Sequence, residues 1–305
     1  MSKRQAPGVL VTGGSGFVGA AVVRALLTHG YRVIATTRGT PPAAPDPPGL
    51  SWLHWDAERQ PLPDVDWAGL GGVVHLAAIT GKVPFPESAR AHFDLSVMAT
   101  FHLLEAARRH GVLRFVFGST GDVLGPTTGP ARESAANYRP TGFYGSAKAC
   151  GELLCRAYES QLAAVVLRFF HPYGPGGERF LINRLLRAVE EGREVVIEGP
   201  EGIVLNPIWV EDVAEGVCQA LEAGQSGVYH LAGCETISMR RLLEQMGQLT
   251  GREPRIHTLS AVPPSGHAGR WTRARRVFRF RPRVRLQEGL SRLLADGADR
   301  QGGPP

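Results

Sequence analysis

Residues 9–27 restrict the fold more than any other part of the chain. An apolar, strand-like run at residues 9–12 leads into a glycine-rich turn, and residues 20–27 continue with helical periodicity. Glycines allow a tight turn close to a pyrophosphate, and the N-terminus of the helix attracts its charge. We therefore predict a dinucleotide-binding turn, with an ordinary tight turn as the alternative. The predicted cofactor contacts in this turn are Gly13, Ser15, Gly16, Phe17 and Val18.

Short apolar runs alternate with amphipathic stretches, a pattern typical of a parallel sheet covered by helices on both faces. We expect an α/β fold with a Rossmann-type, doubly wound parallel sheet and a smaller C-terminal substrate-binding lobe. Strands are predicted at residues 9–12, 32–36, 52–55, 72–76, 114–118 and 164–168, and helices at residues 16–29, 88–110 and 144–159.

A breaker cluster at residues 174–177 marks the predicted division of the chain, because the elements after it are shorter and less regular. We assign residues 1–170 to a dinucleotide-binding domain. Residues 171–300 are assigned mostly to the substrate lobe, with some segments returning to the sheet. Residues 301–305 are predicted to form a disordered tail, and the proline-rich residues 41–48 a surface loop.

The charge balance favours an anionic small-molecule ligand. The formal net charge is +6 and the pI is about 9.4, which suits nucleotides and phosphates. Much of the positive charge lies at residues 270–285, where a solvated basic helix and turn is preferred over a phosphate contact. We therefore expect no nucleic-acid partner.

The four cysteines form no Cys-x-x-Cys pair and lack histidines at metal-ligand spacing. We expect a reducing compartment and no metal site. The apolar run after Lys3 and Arg4 ends at once in the glycine turn, and no run approaches the roughly 20 apolar residues of a membrane helix. The sequence therefore predicts a cytoplasmic protein without a membrane partner.

The end of the second predicted strand bears on the choice of cofactor. An acidic residue there binds the ribose hydroxyl of NAD and repels the phosphate of NADP. This segment has no carboxylate, and Arg38 offers a planar donor group that suits a phosphate. NADP, in use as NADPH, is therefore favoured and NAD remains possible. The alternative is that Arg38 is an exposed arginine capping the strand.

Tyr144 and Lys148 are four residues apart, so they share one face of a predicted helix. A neighbouring ammonium and an oxidised nicotinamide ring both favour the phenolate, so Tyr144 could exchange a proton with a carbonyl or an alcohol. Thr120 follows an apolar strand, at the edge where such sheets bind ligands, and could hydrogen-bond the reacting oxygen. The alternatives are a structural helix surface and a strand-end cap.

In combination, these motifs resemble the extended short-chain dehydrogenases/reductases, the family of nucleotide-sugar epimerases, dehydratases and reductases. The matching segments keep the order of the family and cover essentially the whole chain. They are residues 12–19, His75-Leu76-Ala77-Ala78, residues 119–125, Tyr144 to Lys148, and residues 167–176.

The resemblance implies further site residues. Asp56 is expected at the adenine, Ala57 and residues 76–78 along the cofactor, and Lys148 at the nicotinamide ribose, while turn capping and strand-end packing are the alternatives. The cofactor-lining residues of the second segment are Leu76, Ala77 and Ala78. Amphipathic helices around residues 101–104 and 153–154 resemble the dimer-forming helices of the family, which implies a homodimer, and packing within one subunit is the alternative.

Three departures from the family pattern concern the substrate. Residues 205–212 lack the arginine that many members place on the nucleotide phosphates, and His171 stands where an asparagine is usual. Gly121-Asp122 follows Thr120, where the 4,6-dehydratases have Asp-Glu, and this makes dehydration less favoured. A lone histidine such as His171 is more often structural than a switchable acid.

Our leading prediction is an NADPH-dependent reductase of a keto group on a sugar nucleotide or a similar polyhydroxylated small molecule, with Tyr144 as the acid/base. An epimerase or dehydratase that retains NAD is the alternative. A dinucleotide-sensing protein without activity is the remote alternative, because it would require degraded catalytic residues, and Thr120, Tyr144 and Lys148 are all present.

Overall fold

The computed structural model describes residues 7–41, 46–79, 85–133, 138–259 and 266–301, with side chains up to residue 297. Its strands are β1 (Gly8–Thr12), β2 (Arg32–Thr37), β3 (Leu50–His54), β4 (Leu70–His75), β5 (Arg114–Thr120), β6 (Ala163–Phe169), β7 (Pro172–Tyr173), β8 (Val195–Glu198), β9 (Val204–Leu205), β10 (Ile208–Trp209), β11 (Gly227–Leu231), β12 (Ile237–Ser238), β13 (Ile256–Leu259) and β14 (Gly266–His267). Its α-helices are α1 (Phe17–Thr28), α2 (Ala89–Phe93), α3 (Ala99–Arg109), α4 (Gly142–Ala157), α5 (Leu181–Glu190), α6 (Val210–Ala223), α7 (Met239–Thr250), α8 (Thr272–Phe278) and α9 (Leu286–Gln301).

Seven parallel strands form the central sheet, in the order β11-β6-β5-β4-β1-β2-β3. The direction of winding reverses between β1 and β4, and such a reversal opens a crevice beyond the carboxyl ends of these strands. The α/β fold class is therefore confirmed. The glycine turn after β1 lies at this crevice, as the sequence predicted.

Different helices cover the two faces of the sheet. Val9 and Val11 of β1 pack in a buried cluster with side chains of α1 and α6, whereas Leu10 packs on the other face with α3 and α4. All three side chains are fully buried. Burial on both faces explains why the strands are continuous apolar runs.

Several predicted boundaries were wrong. β3 and β4 each begin two residues earlier than predicted, at Leu50 and Leu70, and β5 continues to Thr120. The helix predicted at residues 88–110 is present as a continuous helical run over residues 89–109, but the segment Asp94–Met98 between α2 and α3 is π-helical. A π turn adds one residue to the repeat, and hydrophobic periodicity alone does not reveal that insertion.

Beyond residue 170 the chain forms smaller sheets and a second core. The pairs β10-β7 and β13-β8 and the three-stranded sheet β12-β9-β14 surround buried side chains of α5, α7 and α9. α6 and β11 return to the central sheet. Gln301, predicted to begin the tail, is the last residue of α9, and residues 302–305 lie outside the described residues. Residues 42–45 of the predicted proline-rich loop also lie outside them.

The described residues contain neither a candidate membrane span nor a candidate metal cluster. No helix among them has both the length and the hydropathy to cross a membrane. The same residues contain no group of three or more histidine, cysteine, aspartate or glutamate side chains that could hold a metal ion.

Candidate active site

The turn after β1 can only be built from glycine at two positions. Gly13 has a φ of +69°, and a Cβ atom there would lie 2.9 Å from the backbone of Ala77. A Cβ atom on Gly19 would lie 2.0 Å from the carbonyl oxygen of Gly13. Gly16 is the N-cap of α1 and has no side chain to occupy the first amides of the helix. These features fit the pyrophosphate of a dinucleotide.

The other predicted contacts of the turn point in different directions. The Ser15 hydroxyl donates a hydrogen bond to Thr37 Oγ1 (2.9 Å), which ties the turn to the end of β2. The ring of Phe17 packs against Phe180, with 4.7 Å between centroids, so it bridges to the region after residue 170. Val18 packs against the buried cluster under α1.

A buried network holds residues 76–78 against the turn. The Thr12 hydroxyl donates to Nδ1 of His75 (2.6 Å) and accepts hydrogen bonds from the amides of Leu76 and Ala77 (both 3.2 Å). Nε2–H of His75 donates to the carbonyl of Leu95 (3.1 Å). Burial and the charge of Lys148 together lower the pKa of His75 to about 3, so the ring is neutral. Leu76, Ala77 and Ala78 are partly exposed at the crevice.

Tyr144 lies in the first turn of α4 and meets Thr120 at the end of β5, as the sequence predicted. The phenol is half-buried and hydrogen-bonds with the Thr120 hydroxyl. Burial and the negative charge of Asp122 raise the pKa of the phenol, whereas the Thr120 bond lowers it. Tyr144 is therefore protonated at neutral pH. It needs added positive charge nearby before it can accept a proton.

Lys148 lies one turn further along α4 and is almost fully buried. Its Nζ donates a hydrogen bond to the carbonyl of Gly118 (2.8 Å) and lies 4.6 Å from the ring centre of Phe117. Burial lowers the pKa of Lys148 to about 8. The ammonium is thus charged at neutral pH and fixed beside the carboxyl end of β5.

A buried ion pair, which sequence reasoning missed, fixes α4 against the sheet. Glu152 accepts hydrogen bonds from Nε of Arg168 on β6 (2.9 and 3.2 Å), from its terminal nitrogen (2.6 Å) and from the Ser119 hydroxyl (2.5 Å). All three side chains are buried. The available signal was spacing, since Glu152 lies four residues after Lys148 and therefore on the same face of α4.

Three further titratable groups beyond Thr120 were not predicted as a cluster. Asp122 Oδ1 lies 3.8 Å from Nδ1 of His267, and Nε2–H of His171 donates to the carbonyl of His267 (3.2 Å). Burial lowers the pKa of His171 to about 4, against the opposing effect of Asp122. His171 has a φ of +50°. Its neutral ring and backbone hydrogen bond agree with the structural interpretation preferred in the sequence analysis.

His92 of α2 was also missed. Its ring lies 5.3 Å from the ring of Tyr144 between centroids. Burial and the charge of Lys148 lower the pKa of His92. A neutral ring beside the phenol restricts where Tyr144 can move, and nothing in the local sequence distinguishes His92 from an ordinary helix residue.

The opposite end of the crevice is formed by the ends of β2 and β3. Arg38 is exposed and donates from a terminal nitrogen to Oε1 of Glu58 (2.7 Å). Asp56, expected at the adenine, accepts a hydrogen bond from the amide of Glu58 (3.2 Å) and so caps the local turn. Ala57 is half-buried against the core cluster under α3. Glu58 was not part of the sequence prediction, because it comes from a different loop.

The basic stretch at residues 270–285 is mostly used within the fold or exposed. The guanidinium of Arg273 lies 4.7 Å from the ring centre of Tyr229 and donates to the carbonyl of Val228 (3.3 Å). Arg275 and Arg276 of α8 are exposed. This arrangement agrees with the solvated-face interpretation.

Comparison with known proteins identifies the class. The sequence profile of the NAD dependent epimerase/dehydratase family matches residues 9–232. The chain belongs to this family. It is an enzyme of the short-chain dehydrogenase/reductase type, and a nicotinamide dinucleotide is its cofactor.

The similar proteins differ in the reaction named for each. The chain is 32% identical to a dTDP-glucose 4,6-dehydratase of Streptomyces niveus, over 92% of this chain and 90% of that protein. It is 27% identical to a 2-alkyl-3-oxoalkanoate reductase of Stenotrophomonas maltophilia, over 95% and 99%. The solved structure of MoeE5 in complex with UDP-glucose and NAD superposes with a TM-score of 0.83 at 27% identity, covering 97% of this chain and 100% of that one.

Proposed function

We propose that the protein is an epimerase that oxidises and re-reduces one carbinol of a sugar nucleotide with a retained NAD. The observation that carries this proposal is the group formed by Thr120, Tyr144 and Lys148 at the carboxyl end of β5. MoeE5, which resembles this chain over its whole length, was solved with UDP-glucose and NAD. This replaces NADPH-dependent reduction, our leading prediction from sequence, with its alternative.

Thr120, Tyr144 and Lys148 each have a separate role in the proposed reaction. The nicotinamide supplies the hydride acceptor and donor. Tyr144 accepts the proton of the substrate hydroxyl as the carbonyl forms and returns it when the carbonyl is reduced. Thr120 hydrogen-bonds the same oxygen, and the fixed charge of Lys148 favours the phenolate form of Tyr144 that accepts this proton.

Two observations favour an epimerase over the other reactions. Consumption of NADPH would require Arg38 to be available to a phosphate, but Glu58 already binds its guanidinium. Dehydration needs an acid and a base beside the ketone, and the position directly after Thr120 is a glycine, with Asp122 next. Asp122 also faces His267, at 3.8 Å.

The proposal is tested by identifying the products and measuring whether reduced cofactor is formed or consumed. Purified protein with NAD is incubated with UDP-glucose, UDP-galactose or dTDP-glucose, and the products are followed by NMR and mass spectrometry. We expect interconversion of two epimers of equal mass without net formation of NADH. Loss of one water would identify a dehydratase, and product formed only while NADPH is consumed would identify a reductase.

We also infer a homodimer formed through α3 and α4. Large apolar side chains are exposed at Phe101 on α3, at Leu153 on α4 and at Met98 in the π-helical turn that leads into α3. Exposed apolar groups that cluster on adjacent helices mark an interface. Light scattering should give a dimer mass for the wild type and a monomer mass for Leu153→Glu. The control Leu113→Glu, at an exposed position before β5, should remain dimeric.

A further inference from the structure

We propose that Glu58 is the residue that selects the cofactor, because it occupies Arg38 and thereby disfavours the 2'-phosphate of NADP. The proposal rests on the cofactor site of the proposed function but not on the reaction. β2 and β3 are neighbouring parallel strands, with Thr37 paired to His54, so their carboxyl ends meet at one edge of the sheet. Arg38 follows the first strand and Glu58 lies in the turn after the second.

The backbone on both sides of the ion pair is fixed. Nε2–H of His54 donates to the carbonyl of Arg38 (3.1 Å), and the amide of Glu58 donates to Oδ1 of Asp56 (3.2 Å). Thr37, which precedes Arg38, accepts hydrogen bonds from the Ser15 hydroxyl (2.9 Å) and the Gly39 amide (3.3 Å). The 2.7 Å contact between Arg38 and Glu58 is therefore set by three adjoining segments.

The ion pair changes the charge that a cofactor meets at this edge. A free arginine after β2 would attract a phosphate on the adenosine ribose, since a guanidinium binds phosphate with two parallel hydrogen bonds. With Glu58 in place the pair has no net charge, and a phosphate must both displace the carboxylate and approach it. The 2'-hydroxyl of NAD requires neither.

Because the Arg38–Glu58 ion pair is exposed to solvent, its effect on NADPH affinity is moderate but measurable. The Arg38 side chain is 65% exposed and that of Glu58 is 22% exposed. Exposed ion pairs contribute little, because water screens them, so opening the pair costs at most about fivefold in affinity. Repulsion between phosphate and carboxylate adds to this cost. We therefore expect Glu58 to lower NADPH affinity by about tenfold without altering NADH affinity.

The experiment is a calorimetric titration of NADH and of NADPH into the full-length protein from which any bound dinucleotide has first been removed. Wild type should bind NADH at least as tightly as NADPH. Glu58→Gln should tighten NADPH binding about tenfold and leave NADH within twofold. Arg38→Gln should weaken NADPH binding relative to the wild type. In the double variant the gain from Glu58→Gln should shrink, because the guanidinium that the phosphate would bind is gone.

A matched control separates the local effect from overall charge. Glu198→Gln on β8 removes the same charge at an exposed site in the other part of the molecule, and should leave the NADPH/NADH ratio unchanged. An equal ratio in wild type and Glu58→Gln, or an equal shift in Glu198→Gln, overturns the proposal. Failure of wild type to bind either cofactor overturns both this proposal and the proposed function, whereas normal binding without epimerisation overturns only the latter.

Discussion

The two ends of the crevice are built in opposite ways. At the β5 end, Lys148 is buried and hydrogen-bonded to the strand, and Tyr144 is half-buried against Thr120. At the β2 end, Arg38 and Glu58 meet in an exposed ion pair. Electrostatic interactions are stronger where water is excluded, so the first end suits proton transfer. The second end can be changed by one residue without disturbing the fold, which suits the recognition of alternative cofactors.

The largest expected effect tests the β5 end directly. Tyr144→Phe should lower turnover by about 10²- to 10⁴-fold with dinucleotide affinity unchanged, because only the acid/base group is removed. Tyr158→Phe is the control, since this phenol donates to Glu105 (2.7 Å) near the other end of α4. Tyr144 is not the acid/base group if Tyr144→Phe retains near-normal turnover, or if Tyr158→Phe loses turnover to the same extent.

A stability measurement tests whether α4 is held by its buried ion pair. Glu152→Gln leaves Arg168 without a charged partner, and breaking such a pair costs about 3 to 5 kcal/mol in the free energy of unfolding. Urea denaturation measures the change. Glu191→Gln, which removes an exposed carboxylate beside Arg187 and Arg193, should have a far smaller effect. Equal losses would show that burial does not distinguish the two pairs.

Thr120→Val removes one hydroxyl while keeping the shape of the side chain. Because that hydroxyl hydrogen-bonds Tyr144 and is proposed to bind the reacting oxygen, turnover should fall by about 10- to 10³-fold. Steady-state kinetics with a thermal melt distinguish the roles. Thr120 also accepts from the Asp122 amide (3.2 Å), so a lower melting temperature with unchanged turnover would make it a structural cap.

The smallest expected effect is on the pH dependence of stability, through the buried hydrogen bonds of His75 at the end of β4. His75 has a folded pKa of about 3 against 6.5 for the free side chain, so the unfolded chain binds one more proton between these values. Its contribution to stability is present above pH 6.5 and is lost as the pH falls towards 3. The slope is about 1.4 kcal/mol per pH unit for one such histidine. Chemical denaturation at pH 6 and pH 5 should show a flatter slope in His75→Gln.

The sequence predicted the β5 end well and the β2 end incompletely. Local spacing was enough to put Tyr144 and Lys148 on one helix face, and Thr120 was expected at the same edge of the sheet because it ends a strand. Arg38 was recognised, but Glu58 meets it only because β2 and β3 are paired in a particular register. Glu152 and Arg168 likewise meet across α4 and β6. Contacts between separate elements depend on packing, which single-sequence periodicity does not encode.

The late return of the chain to its first sheet has a consequence for synthesis on the ribosome. β11 completes the sheet beside β6, and α6 covers the same face as α1, yet both follow β7 to β10 in the chain. Until α6 and β11 have been made, β6 presents an unpaired edge, and the side of α1 that packs against α6 is uncovered. Such edges pair readily with other strands. The glycine turn is therefore made well before β11, the strand that closes the sheet carrying it.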